Sequence, residues 1–389
     1  MQWQSRFSNS SNYQAAFEEV TQNLGNPDLI ILFIPPQFAP HYQTLSQSFR
    51  QHFPDARLFG CSASGLIAEG SESEFRAGLA LAAATLPKVE VQTFALQQSA
   101  LPDLDAPPQA WHDCLGLSPE DLKALILLID PFSFEPNPLL VGLDYAYPKV
   151  VKLGGLVSGT QAAGQSLLLE DDKIRRSGAI GLAFSGELTV EPVVAQGCRP
   201  IGEAMVITEC EDYMLKSLDG VNALEALTKL LRSLTKEEQT LASHSLFIGV
   251  GMGEPRLKYQ AGDFLVRNIV GFNQKDGSMA VGADLRPGKT VQFHLRDART
   301  SAQDLRQQLS LLTGKPEGAL MFSCLGRGEA LYKKPNYDSS LVQEKFPNLP
   351  MAGFFCNGEI GPVGTSTYMH GYTSSIALFK AFNSSSTEP

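Results

Sequence analysis

Phe53-Pro54-Asp55-Ala56-Arg57-Leu58-Phe59-Gly60-Cys61-Ser62-Ala63-Ser64-Gly65 is one of three copies of a single pattern in this chain. An aromatic residue and a proline are followed at fixed offsets by two glycines. The pattern returns at Tyr147-Pro148 with Gly154 and Gly159, and at Phe346-Pro347 with Gly353 and Gly358. Each copy is preceded by an apolar run (Leu29 to Ile34, Ala124 to Ile129, Leu320 to Cys324) and followed by another (Gly78 to Ala84, Ala179 to Phe184, Ser375 to Phe379). Proline cannot continue a helix, and glycine permits positive φ where the strand after it must turn. The repeating unit therefore reads as strand, helix, strand, glycine loop, strand, which makes the chain an α/β protein with mixed sheets.

Outward from the pattern, the runs Leu29 to Ile34 and Ala124 to Ile129 are continuously apolar, as strands buried on both faces are. Tyr13, Phe17, Val20 and Leu24 recur at helical spacing, as do Tyr42, Leu45 and Phe49, so each predicts an amphipathic helix lying on a sheet. Leu224, Leu227 and Leu231 mark a further helix, Leu305, Leu309 and Leu312 another, and Thr235 with Glu238 forms a capping-box pattern. One covering helix per unit leaves the other sheet face in need of a partner. The expectation is that sister sheets stack face to face in αββα layers. The strand-like segment between Ser245 and Asp297 lacks the aromatic-proline signature and reads as a degenerate fourth copy.

A length of 389 residues favours two tandem domains, 1–205 and 206–389, with the boundary near Met205. With 43% hydrophobic and 19% charged residues the chain is globular, and a net charge of −10 gives no footprint for a phosphate backbone, so nucleic acid is not expected as a partner. No run is long enough to span a bilayer, and the start lacks the apolar segment of a signal peptide. A cytoplasmic location with no membrane span is expected. Six cysteines in no metal-ligand spacing read as reduced thiols, with no metal and no cofactor implied.

Leu58-Phe59-Gly60-Cys61-Ser62-Ala63-Ser64-Gly65 and Ser323-Cys324-Leu325-Gly326-Arg327-Gly328 resemble segments of the paired FIST N-terminal and FIST C-terminal domains. So do Phe264 to Ile269 and the glycine-rich closing motif Met351 to Pro362, followed by Tyr372-Thr373. The resemblance runs from about Asp28 to Phe382. It implies a sensory module for a small ligand, an amino acid being the usual suggestion, acting in signal transduction through a separate signalling protein.

Several residues could carry such a role. Arg327, between Gly326 and Gly328 after a predicted strand, sits where α/β sheets bind ligands, and its planar fork matches a carboxylate. Its alternative is a structural arginine paired with an acid. Asn357 and Glu359 occupy the glycine loop of the same repeat and could receive an ammonium group. Ser62 and Ser64, with Ser158 in the sister loop, offer hydroxyls that in most tight turns bond the local backbone. Cys324 and Cys356 admit a thiol-dependent enzyme, but no histidine stands in a recognisable signature, so an enzyme is not the expected reading. A phosphate loop is excluded because Leu66, Thr160 and Glu359 stand where lysine is required. A sensor for a small molecule leads, ahead of a thiol-dependent enzyme and a protein-interaction scaffold.

Overall fold

The computed structural model describes residues 1–252, 259 and 262–382. Two compact units form. One comprises Met1–Ala195, Arg306–Met369 and the residues from Thr373 on, and the other Gln196–Leu305 with His370–Tyr372. The tandem division expected near Met205 partitions the sequence, whereas this one partitions space. The chain leaves the first unit after one strand of the third repeat and returns to complete it.

In the first unit each repeat builds one six-stranded mixed sheet. Its centre is a parallel pair joined by a helix: Leu29–Ile34 with Arg57–Ser62, Leu122–Ile129 with Val151–Leu156, and Gly318–Cys324 with Met351–Cys356. An antiparallel strand lies beside each first member, Leu79–Thr85, Ala179–Gly186 and Ser374–Ala381 respectively. The apolar runs alternate sides, as the period of two demands. Leu29, Ile31 and Phe33 join Ala124, Ile126 and Leu128, with Leu320 and Phe322, in one interior shared by all three sheets. On the outer faces, Ile30, Leu32 and Ile34 pack under Ala16, Val20, Leu45 and Phe49 of the helices Tyr13–Thr21 and Tyr42–His52. Leu125, Leu127 and Ile129 pack in the same way under Trp111, Leu139 and Leu143.

Helices thus cover one face of the first and second sheets, as expected, but the inner faces of the three sheets do not stack in pairs. With three repeats, pairing would leave one apolar face bare, whereas three sheets around one interior bury all of them. A second departure concerns the strands after the glycine loops. They leave their own sheet and form hairpins on the next: Gly65–Ala68 with Ser71–Glu74 joins the third sheet, Leu168–Glu170 with Lys173–Arg175 the first, and Glu359–Val363 with Ser366–His370 the second.

The first glycine of each pattern permits this arrangement. Gly60, Gly154 and Gly353 stand opposite Leu32, Leu127 and Met321 in the parallel ladders, and opposite Leu169, Ile360 and Ile67 in the exchanged hairpins. A Cβ at any of the three would run into the carbonyl oxygen of its parallel neighbour.

The second unit is a seven-stranded sheet whose hydrogen-bonded pairs are all antiparallel. The segment from Ser245 to Asp297 is therefore no fourth repeat, since Leu246–Gly251 pairs antiparallel on both sides. The helix Ala223–Ser233 forms where the leucine spacing predicts it, and Lys236–Ser245 begins at the capping box that Thr235 and Glu238 close. Its core gathers Ile248, Phe293 and Leu295 with Leu227.

Candidate functional site

Proline and glycine place the ends of the three parallel pairs at one end of the first unit, where loops from all three repeats bond to one another. The Ser64 N–H donates to Ser158 Oγ at 2.9 Å, and Ser158 Oγ donates to the Phe355 carbonyl at 2.5 Å. The Asn357 side-chain amide donates to the Val157 carbonyl at 2.9 Å. Gly159, at φ +84°, lies so close to Pro36 and Ser64 that a side chain there would press on both. Ser62 is fully buried and clasps Leu167, accepting from its N–H at 3.1 Å and donating its own N–H to the Leu167 carbonyl at 2.9 Å. Ser64 Oγ is buried and has no hydrogen-bond partner among the described residues. Native structures seldom leave a buried polar atom in that condition without a reason.

Beside this junction runs a hydroxyl chain in which Thr160 is a sister-loop hydroxyl and Asp130, Ser133 and Ser166 carry no sequence expectation. Asp130 is fully buried directly after an apolar strand and accepts from Ser133 Oγ and, at 2.6 Å, from Ser166 Oγ. Thr160 and Ser166 share a bond of 3.2 Å, and Arg176 donates to the Ser166 carbonyl at 3.3 Å. The one signal in the sequence is an acid directly after Ile129, where the first repeat carries Pro35 after Ile34.

Glu359 and Cys324 meet through Thr373, whose N–H donates to Glu359 Oε2 at 3.0 Å and whose carbonyl accepts from the Cys324 N–H at 3.0 Å. Glu359 is fully buried. Cys356 is buried too, and its thiol is pushed well up, first by burial and then by the nearby charge of Glu359. A thiol so raised holds its proton at neutral pH and is a poor nucleophile. Cys324 Sγ accepts from the Gly326 N–H at 3.4 Å.

Arg327 is turned to a different task. Its guanidinium is fully buried, with Nε donating to Asp338 Oδ2 at 2.6 Å and Nη2 to Asp338 Oδ1 at 3.0 Å. Nη2 also donates to Tyr332 OH at 2.7 Å, and that hydroxyl donates to Asp338 at 2.7 Å. The fork expected to hold a ligand carboxylate thus holds one from the chain itself. Tyr332 and Asp338 follow Arg327 by 5 and 11 residues on two short helices, a spacing that carries no sequence signal. Gly328 must be glycine for a related reason: at φ +65° it faces Glu74, whose carboxylate accepts the Glu329 N–H at 2.7 Å. Of the expected ligand residues, Ser62, Ser64, Ser158 and Asn357 come together in the loop junction, while Arg327 belongs to the buried acid–arginine cluster, Gly328 faces Glu74 and Gly326 bonds Cys324.

Among the described residues no helix is long and apolar enough to cross a membrane. An uncharacterized protein of Mycobacterium tuberculosis is 33% identical over 91% of this chain and 92% of its own length. One from Mycobacterium bovis is 36% identical over 65% and 67%, and an F-box/LRR-repeat protein of Arabidopsis thaliana is 30% identical over 61% and 52%. The FIST N domain model matches residues 28–221 and the FIST C domain model residues 223–362. The chain therefore belongs to the FIST family, whose domains are associated with the sensing of small ligands in signalling proteins.

Proposed function

We propose that the protein senses a small polar molecule at the junction of its three glycine loops and passes the signal to a separate protein. One observation carries this reading: a single hydroxyl, that of Ser158, accepts from the loop of one repeat and donates to the second parallel strand of another, Met351–Cys356. A ligand bonding Ser64 or Ser158 would shift all three repeats at once, because packed interiors do not deform piecemeal.

A free amino acid or a similar small carboxylate is the class this chemistry suits. Burying a zwitterion requires a partner at each end. Glu359 supplies a carboxylate for the ammonium group. The fork of Arg327 is occupied by Asp338, so the carboxylate end falls to the loop hydroxyls of Ser62, Ser64 and Ser158, the Asn357 amide and the backbone N–H groups.

The test combines native mass spectrometry of freshly purified protein, to find a retained small molecule, with a thermal-shift panel of amino acids and small carboxylates. Ligand at 100 times its dissociation constant stabilises the fold by about 2.7 kcal/mol, well within reach of the panel. Ser158→Ala, checked by circular dichroism to be folded, is expected to lose the shift. A panel without any shift, together with no retained mass, would overturn the reading, as would a folded Ser158→Ala variant that responds like the parent.

A further inference from the structure

The three repeats offer an internal comparison at the ends of their parallel pairs. Leu32 faces Gly60, Leu127 faces Gly154 and Met321 faces Gly353. Three residues further along both strands stand Pro35 with Ala63, Asp130 with Val157, and Cys324 with Cys356. Only the third repeat carries sulfur on both sides, and there the two cysteines are direct register partners in the last rung of the ladder. Main-chain bonds hold that rung: the Leu325 N–H donates to the Cys356 carbonyl at 3.0 Å, and the Cys324 N–H to the Thr373 carbonyl at 3.0 Å.

Register partners on neighbouring strands project from the same face of a sheet. Such strands run about 4.8 Å apart, and a disulfide joins residues whose Cα atoms are about 4.4–6.8 Å apart. The backbone spacing of this rung therefore falls within the range that a disulfide bridges. Both residues stand as reduced thiols.

Their surroundings differ in a way that assigns each a role. Cys324 is partly exposed, and its Sγ accepts from the Gly326 N–H at 3.4 Å. A donor aimed at sulfur favours the thiolate, which is the form that attacks an oxidant. Cys356 is fully buried in the interior that the three sheets share. Its thiol fills the room that Gly155 leaves, since a Cβ on that glycine would come within 2.6 Å of the sulfur. Burial raises the Cys356 thiol most, and the charges of Glu359, Cys61 and Cys324 add to the effect. It therefore stays protonated and out of reach of solvent, while Cys324 meets whatever arrives.

We propose that Cys324 and Cys356 are a peroxide-responsive pair, in which Cys324 is oxidised first and Cys356 resolves the product to a disulfide across the strand ends. Cys324, its proton given to solvent, attacks one oxygen of hydrogen peroxide. The O–O bond breaks, hydroxide leaves, and the sulfur becomes a sulfenic acid, oxidised by two electrons. The Cys356 sulfur then attacks the Cys324 sulfur, the S–O bond breaks, and the Cys356 proton goes to the departing hydroxide as water. A protonated thiol serves in this second step because its target is a strong electrophile held beside it. The new bond ties the strand Gly318–Cys324 to Met351–Cys356 around the segment that carries Arg327, Tyr332 and Asp338. Any dithiol reductant reverses it.

The experiment exposes the full chain, reduced with dithiothreitol and desalted, to a few equivalents of hydrogen peroxide. Remaining thiols are blocked with N-ethylmaleimide in denaturant, and the unreduced peptides are mapped by mass spectrometry. The intact mass is expected to fall by two hydrogens, with one linked peptide pair carrying Cys324 and Cys356, and dithiothreitol is expected to restore both. Cys324 should be consumed about tenfold faster than Cys114, which is also partly exposed but sits on the helix Pro108–Leu115. Cys356→Ser should stop at a sulfenic acid that dimedone traps on Cys324, and Cys324→Ser should leave Cys356 reduced after the same exposure. The mapping of the parent needs no variant, so it decides the matter should either substitution fail to fold. A parent whose Cys324 stays reduced, or is consumed no faster than Cys114, overturns the proposal. So does a dimedone adduct on the parent without any link, a link from Cys324 to Cys61, or a link formed only between two chains. The small-ligand thermal shift is measured on reduced protein, so the two readings fail separately.

Discussion

Arg327 and Asp338 form a two-pronged ion pair with both side chains removed from solvent, Nε lying 2.6 Å from Oδ2 and Nη2 3.0 Å from Oδ1. Tyr332 closes the triangle by bonding both. An arginine so engaged ties two short helices to the strand that precedes them, and its loss should be read in stability.

Arg327→Ala or Asp338→Asn is expected to destabilise the protein by about 3–5 kcal/mol, because each leaves a charge or its donors buried without a partner. Replacing both by apolar residues, Arg327→Met with Asp338→Leu, should cost much less than the two single changes summed. Urea denaturation of the four proteins checks this. A cost below about 1 kcal/mol for Arg327→Ala would show that the pair is not structural.

Glu72 gives the pH dependence. Its Oε1 accepts the Ser339 N–H at 2.7 Å, and its carboxyl is pushed up to about 7, first by burial and then by the charge of Asp338, with Glu74 adding to the same effect. A carboxyl that holds its proton more tightly in the folded state stabilises the fold while protonated. That contribution is complete below the unfolded value of 4.5 and is lost as pH rises through about 7. Glu72→Gln should therefore match the parent at pH 4 and exceed it at pH 8 by as much as about 3 kcal/mol. Identical melting-temperature profiles for the two proteins between pH 4 and 8 would refute it.

The pattern glycines make a graded prediction. Gly60→Ala, Gly154→Ala and Gly353→Ala each drive a Cβ into a carbonyl oxygen of the neighbouring strand, and Gly154 also stands at φ +145°. Each is expected to cost more than about 3 kcal/mol. Gly25→Ala, at φ +69° but with open space around it, should cost only about 1 kcal/mol. Chemical denaturation of the four variants measures the order, and equal losses at Gly25 and Gly60 would show that strand contact is not what the repeat glycine preserves.

The thiols are expected to differ in reactivity. Cys61 and Cys356 are fully buried with thiols pushed well above their ordinary range by burial, whereas Cys114 is partly exposed. Timed iodoacetamide labelling at pH 8 with peptide mapping should show Cys114 modified in the native protein and Cys61 and Cys356 only after denaturation. Rapid native labelling of Cys356 would reopen the thiol-enzyme reading.

Much of the fold was legible because it repeats. The aromatic-proline-glycine pattern placed three strand–helix–strand units correctly, and continuous apolar runs announced strands buried on both faces. The site was less legible. That Ser62, Ser64, Ser158 and Asn357 stand in the glycine loops was readable. That the Ser64 N–H and Phe355 carbonyl meet on one Ser158 hydroxyl was not, since those residues are separated by 94 and 197 positions.

By itself the sequence determined the local structure: which segments are strands or helices, where glycine must stand, and that the unit occurs three times. These follow from side-chain periodicity and backbone stereochemistry, which act over a few residues. The tertiary structure alone decided that three sheets share one interior, that each lends a hairpin to another, and that Arg327 is held by Asp338 rather than left open to a ligand. Such choices rest on burying the last bare sheet face and neutralising the last buried charge, and those balances are struck between segments far apart in the chain.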